Sequence, residues 1–181
     1  MKTPVSRAGA VFLDRDGTLM ENVPYCRRAE DVHVFPGVDD ALSALRRAGW
    51  RLIVITNQSG IARGLITPEA YEAVTAEFER QVGEKFDAIY FCADSPDAPS
   101  SRRKPAIGML EEAAADHGID LRASWLIGDS EVDMRCGSAG GCRTILVRTG
   151  NGSTVSDDLA DFVCVDFLAA AAILLETDRE T

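Results

Sequence analysis

Positive charge is scarce in this chain. Its 19 Lys and Arg stand against 29 Asp and Glu, a formal net charge of −10 at pH 7. A phosphate backbone needs clustered cations, so no nucleic-acid partner is expected. A phosphorylated small molecule would have to be met by local positive charge or a bound cation, and the nearest basic cluster is Arg102-Arg103-Lys104. Long apolar runs are also missing: none approaches the roughly 18 residues that span a bilayer. Met1 to Ala8 lacks the apolar stretch of a signal peptide. These two absences predict a cytoplasmic protein with no membrane partner. Histidine occurs only at His33 and His117, neither beside a motif, and both read as surface or packing residues. The five cysteines are odd in number and form no Cys-x-x-Cys pair, which argues against a disulfide framework and for scattered buried thiols. No repeat or linker divides the chain, and 181 residues suffice for a single domain, 1–181, with a sizeable core.

What is present alternates. Apolar runs at Ala10–Leu13, Leu52–Ile55, Ala88–Cys92, Trp125–Ile127, Thr144–Val147 and Phe162–Val165 read as buried strands. Between them lie amphipathic stretches from Val38 to Gly49, Thr67 to about Val82, Ala106 to His117, Glu131 to Ala139 and Asp166 to Glu176. Thr67-Pro68-Glu69 combines a hydroxyl cap, proline at the first helical position and an acid in the first turn. Pro105 stands where the next helix is expected to begin. Strand–helix alternation throughout predicts an α/β fold, a doubly wound, Rossmann-like parallel sheet with helices on both faces.

The polar residues that follow these strands collect on one edge. Asp14, Thr56 and Asp129 each come directly after an apolar strand, and Lys104 arrives from the loop after the third strand. In open α/β sheets ligands bind at the carboxyl ends of the strands. Asp14-Arg15-Asp16-Gly17-Thr18 taken alone is as readily an acidic turn as a site. In company, the residue types fit one reaction. A carboxylate nucleophile can form an aspartyl-phosphate and split phosphoester hydrolysis into two steps. Asp14 and Asp129, with the backbone carbonyl of Asp16, are hard oxygen ligands suited to Mg²⁺. Thr56 and Lys104 can hold phosphate oxygens. Asp16 can protonate a leaving alcohol and then deprotonate water.

The same residues carry a family resemblance. Asp14 to Thr18, strand-end Thr56, Lys104 and Gly128-Asp129 resemble the haloacid-dehalogenase-like phosphohydrolases. Phe12–Leu19, the Thr56–Gly64 stretch, Arg103-Lys104-Pro105 and Leu146–Gly150 look like the heptose bisphosphate phosphatase branch, whose pattern the histidinol-phosphatases largely share. The resemblance spans nearly the whole chain. It implies Asp14 as nucleophile, Asp16 as acid/base, and Asp14, Asp16 and Asp129 as Mg²⁺ ligands. It further implies substrate contacts from Thr56, Asn57, Gln58, Ser59, Arg103 and Lys104, with Asn22 and Tyr25 on a substrate-facing loop. Arg63, on a glycine-flanked loop after the phosphate-binding stretch, is a further candidate substrate contact. The implied substrate is a small phosphorylated sugar, most readily the 7-phosphate of a heptose bisphosphate, with histidinol phosphate or another sugar phosphate as the alternative. A monomer is expected. A phosphate-binding module without catalysis is the rival of another class, though it would not need the Asp14/Asp16 pair.

Two departures shape the expectation. Both intervals that hold a large cap domain in the superfamily are short here, so selectivity falls to the loops Asn22–Phe35 and Ala93–Arg103. The branch typically carries a zinc site of three cysteines and a histidine in the second loop. Here Cys92 remains, with Asp94, Ser100 and Arg102 at the partner positions. One thiolate does not make a structural zinc site, so zinc is not expected, and Pro96, Pro99 and packing are expected to order the loop. Glu131 and Asp133 read as acids serving a helix dipole, with Asp133 alternatively able to hold Lys104.

Overall fold

The computed structural model describes residues 8–83 and 86–177. Met1 to Arg7, which carry most of the expectation about a leader, lie outside the described residues. Six strands, β1 (Ala10–Leu13), β2 (Arg51–Asn57), β3 (Ala88–Cys92), β4 (Trp125–Gly128), β5 (Arg143–Val147) and β6 (Phe162–Cys164), form one sheet in the order β3-β2-β1-β4-β5-β6. Every pairing is parallel. Parallel neighbours need crossover helices, and these cover both faces.

Register decides which residues share a face. Val11 pairs with Leu52 and Trp125, while Phe12 pairs with Ile53 and Leu126. Side chains alternate along a strand, so Val11, Leu13, Leu52, Val54 and Ile127 pack on one side with α1 (Val38–Arg47), α2 (Pro68–Val82) and α5 (Phe167–Thr177). Ala10, Phe12, Ile53, Ile55 and Leu126 pack on the other with α3 (Gly108–His117) and α4 (Glu131–Gly140). Two cores of comparable make-up therefore sandwich a sheet whose central strands are apolar on both faces.

The helix ends follow the sequence signals. Thr67 Oγ1 accepts from the Ala70 amide at 3.2 Å, capping α2 behind Pro68. Ser130 and Asp133 close a capping box at the start of α4. The exception is α3, which starts at Gly108 rather than Ala106. The Gly108 amide donates to Ser101 O at 2.9 Å, so residues 105–107 belong to the loop. A methyl group on Gly108 would stand 2.4 Å from that same oxygen, which makes the position a contact between backbones.

Among the described residues no helix is long and apolar enough to cross a membrane. The five cysteines are all free and buried. The strand order reverses at β1, whose partners are β2 and β4, and the carboxyl ends of these three strands open the crevice in which the strand-end residues meet.

Candidate active site

The chain leaves β1 through Asp14 and turns back at once. The amides of Thr18, Leu19 and Met20 all donate to Arg15 O, and Gly17 takes a φ of 87° to make the turn. This tight loop aims Asp14 into the crevice and sets Asp16 beside β2.

Asp14 is buried, and Lys104 Nζ donates to its Oδ1 at 2.6 Å. The same ammonium donates to Ile55 O at 2.8 Å and pairs with Asp133 Oδ1 at 2.6 Å. All three of its donors are thereby engaged, and Lys104 is only 2 % exposed. Burial alone would push its pKa down, but Asp133 and Asp14 outweigh burial and hold it above the ordinary value. Asp133 is held in turn by Ser130, whose amide donates to Oδ2 at 3.1 Å and whose hydroxyl also bonds it. Of the two duties open to Asp133 it performs both, closing the helix cap and gripping Lys104.

Asp129 completes the acidic group. Carboxylate oxygens of Asp14, Asp129 and Asp133 lie within 4.8 Å of one another. Burial raises the Asp14 pKa well above the carboxylate range; Lys104 opposes this, and the neighbouring Asp133, Asp129 and Asp16 add to it. Burial likewise pushes Asp129 up to about 6, against hydrogen bonding from the Asn151 amide. Three buried carboxylates thus face one buried ammonium, leaving a net charge of about −2 when all are ionised. That imbalance and the all-oxygen donor set fit a hard divalent cation held by Asp14 and Asp129, since Asp133 is committed to Lys104 and Ser130.

Asp16 lies in a different setting. Arg15 donates through Nε to its Oδ2 at 3.0 Å, Gln58 Nε2 donates to the same oxygen at 2.9 Å, and Thr56 Oγ1 lies 3.5 Å away. Gln58 Nε2 also donates to Thr56 Oγ1 at 2.9 Å. Arg15, buried with its guanidinium 5.8 Å from the Tyr71 ring centroid, anchors this cluster and had no assigned duty in the sequence. Its placement between two strand-end acids is the signal that could have found it.

The structure brings most of the expected contacts to one place. Asp14, Thr56, Arg103, Lys104 and Asp129 line one crevice together with Asn151. Asp16, Asn22 and Asn57 line both this crevice and an adjoining cavity that includes Tyr25, Gln58 and Ser59. Asn57 has a further duty: its Nδ2 donates to Lys104 O and its Oδ1 accepts from Lys104 N, each at 3.1 Å. It fixes the backbone from which Lys104 reaches in. Arg63 stands further out, donating to Tyr25 Oη at 2.9 Å. Tyr25 has a φ of 53°, a region that bulky residues rarely enter.

Hydrogen bonds centred on Ser100 tie the loop after β3. Ser100 Oγ accepts from the amides of Arg102 and Arg103 at 3.1 and 2.9 Å and lies 3.6 Å from Cys92 Sγ. Cys92 Sγ donates to Asp94 Oδ2 at 3.4 Å, and Arg102 pairs with Glu112 on α3.

Sheet order, strand-end aspartates and the buried lysine together define a haloacid-dehalogenase-like hydrolase. A family model described as HAD-hydrolase-like matches residues 101–170. The D-glycero-D-manno-heptose-1,7-bisphosphate 7-phosphatase of Chlorobaculum tepidum is 38% identical over 160 residues, 80% of this chain and 80% of the relative. That of Thermosynechococcus vestitus is 36% identical, covering 89% of this chain and 92% of the relative. Among solved structures, the D,D-heptose 1,7-bisphosphate phosphatase of B. bronchiseptica, complexed with magnesium and phosphate, is 32% identical with a TM-score of 0.86, covering 93% and 99% of the two chains. The chain belongs to this heptose bisphosphate phosphatase family and is a phosphoric monoester hydrolase by that membership.

Proposed function

We propose that this enzyme removes the 7-phosphate of D-glycero-D-manno-heptose 1,7-bisphosphate through an aspartyl-phosphate on Asp14, with Mg²⁺ bound. The observation that carries the reading is the meeting of Asp14, Lys104 and Asp129 in one crevice, with Asp16 beside it. The relatives named above supply the substrate class.

Asp14 attacks phosphorus, and the bond from phosphorus to the sugar oxygen breaks. Asp16 delivers its proton to that oxygen as it leaves. Asp16 then takes a proton from a water, whose oxygen attacks the phosphoryl group and expels the Asp14 carboxylate, giving inorganic phosphate. Lys104 screens the approach of one anion to another and holds Asp14 in line. Arg15, Gln58 and Thr56 set the starting position of Asp16. A divalent cation held by Asp14 and Asp129 would supply charge neutralisation for the incoming phosphate. The polyol lies in the cavity beside Asn22, Tyr25 and Ser59, and Arg103 meets the substrate from the adjoining crevice. The Ala93–Arg103 loop holds no zinc, the network around Ser100 serving instead.

Side-by-side kcat/KM values for the heptose bisphosphate, histidinol phosphate and a set of sugar phosphates, with and without Mg²⁺, test the proposal. The heptose bisphosphate should rank first and lose its turnover in EDTA. A higher rank for histidinol phosphate, in an enzyme whose Ala93–Arg103 loop departs from its branch, would overturn the substrate.

A further inference from the structure

The loop after β5 takes no step in the mechanism above, yet three of its residues meet the acidic site. The Asn151 amide donates to Asp129 Oδ2 at 2.7 Å, and Asn151 Nδ2 donates to the same oxygen at 3.2 Å. Gly150 takes a φ of 55°, and a methyl there would lie 2.1 Å from Asp129 Oδ2 and 2.7 Å from Gly17 Cα. A methyl on Gly17 would lie 2.3 Å from that same carboxylate oxygen. Thr149 Oγ1 donates to Gly17 O at 2.6 Å. Oδ2 of Asp129 is therefore boxed between two glycine Cα atoms and a two-donor clamp. The loop is itself anchored by Arg148, which donates to Val155 O at 2.9 Å, bonds Gly152 O and pairs with Asp157.

A carboxylate with one oxygen so enclosed cannot rotate, and it offers a ligand only the oxygen not committed to Asn151. The Thr149–Gly17 bond acts beside it, fixing the turn next to the Asp16 carbonyl. One short loop thus holds two candidate oxygen ligands that come from distant parts of the sequence. Groups that orient a metal's ligands are worth roughly 10–100-fold in metal affinity.

We propose that Thr149, Gly150 and Asn151 are positioning residues that preorganise Asp129 and the Asp16-Gly17 turn for a divalent cation. The inference rests on the reading of Asp14 and Asp129 as the cation's carboxylates. It assigns the loop to cation affinity rather than to the chemical steps.

The test is calorimetric titration of Mg²⁺ into the intact protein and its variants. It is accompanied by kcat at saturating Mg²⁺ and thermal midpoints in EDTA. Thr149→Val and Asn151→Ala should raise the Mg²⁺ Kd about 10-fold, and Gly150→Ala about 100-fold. In all three, kcat at saturating Mg²⁺ should stay within about twofold of the parent, the split a cation-positioning role requires. Thr149→Ser, which keeps the hydroxyl, should restore the parent Kd. Should Gly150→Ala fail to fold, the Thr149 and Asn151 variants carry the test. An unchanged Kd with a lowered thermal midpoint would make the loop merely structural and overturn the proposal, as would a loss of kcat that Mg²⁺ does not restore. Failure of the parent protein to bind Mg²⁺ would instead overturn the cation site itself.

Discussion

Replacing Lys104 by Met keeps most of the stem that packs between β2 and α4 and removes only the charge. The ammonium makes contacts of 2.6, 2.6 and 2.8 Å to Asp14, Asp133 and Ile55 O, at a site 2 % exposed. Without it, three buried carboxylates have no cation and a buried carbonyl loses its donor. Removing one partner of a buried pair costs about 3–5 kcal/mol, because the surviving charge stays desolvated. In a domain of this size that lowers the thermal midpoint by roughly 6–20 °C.

The deficit should depend on pH, with a definite sign. Asp14 and Asp129 are raised by burial even with Lys104 present, and losing the ammonium raises them further. A carboxyl whose folded pKa exceeds its unfolded value costs nothing below the unfolded pKa, progressively more as pH rises from there to the folded one, and a constant amount above it. The Lys104→Met midpoint should therefore fall furthest behind the parent at pH 8 and recover toward it at pH 5. Differential scanning calorimetry in EDTA reads both. A drop of less than about 2 °C at pH 8, or one that is larger at pH 5, would refute the charge argument.

Three further outcomes follow from the same geometry. In the ion-free parent, Asp129 held at about 6 against an ordinary 3.8 should cost the fold up to roughly 3 kcal/mol. Its stability should then decline between about pH 4 and 7 in EDTA and be recovered by Mg²⁺ at pH 8; a flat profile would contradict the Asp129 environment. Asp16→Asn should slow an alkyl phosphate far more than an aryl phosphate in the first step, since only the poor leaving group needs the proton. Equal losses in single-turnover rates would remove Asp16 from that role. Elemental analysis of the purified protein should find no stoichiometric zinc, whereas Ser100→Ala should weaken substrate binding through Arg103; one zinc per chain would show that the loop is ordered otherwise.

Much of this architecture is local and was legible from the residues. The apolar strand runs, the Thr67-Pro68 start of α2 and the Gly118 stop of α3 are signals within a few residues of what they specify, and each stands where expected. Asp14, Thr56 and Asp129 were placed by a rule of topology, that strand ends share an edge in a parallel sheet. What could not be read depends on contacts distant in sequence. For Asp133 the sequence leaves two readings open, a first-turn acid or a partner of Lys104, and only the contacts show that it is both. Asn57 lies inside a phosphate-binding stretch, yet both ends of its carboxamide turn to the Lys104 backbone, 47 residues on. Pro105 has the look of a helix start, but the Gly108–Ser101 contact between backbones delays α3. Asn151 directly follows the Leu146–Gly150 stretch that drew attention to the β5 loop. A Gly-Asn-Gly turn at the same sheet edge was the available clue, and only the geometry shows that it closes on Asp129.

The proposed reaction begins with attack on phosphorus by an Asp14 carboxylate oxygen, and conservative replacement of Asp14 is the most direct test. Turnover by Asp14→Asn, measured as inorganic phosphate released from the heptose bisphosphate at saturating Mg²⁺, should fall by roughly three orders of magnitude or more. The fold should persist, because the amide can still accept from Lys104 at the position of Oδ1. A variant that retains parental kcat would mean that phosphorus is attacked by another group, and the mechanism built on the β1 strand end would be wrong.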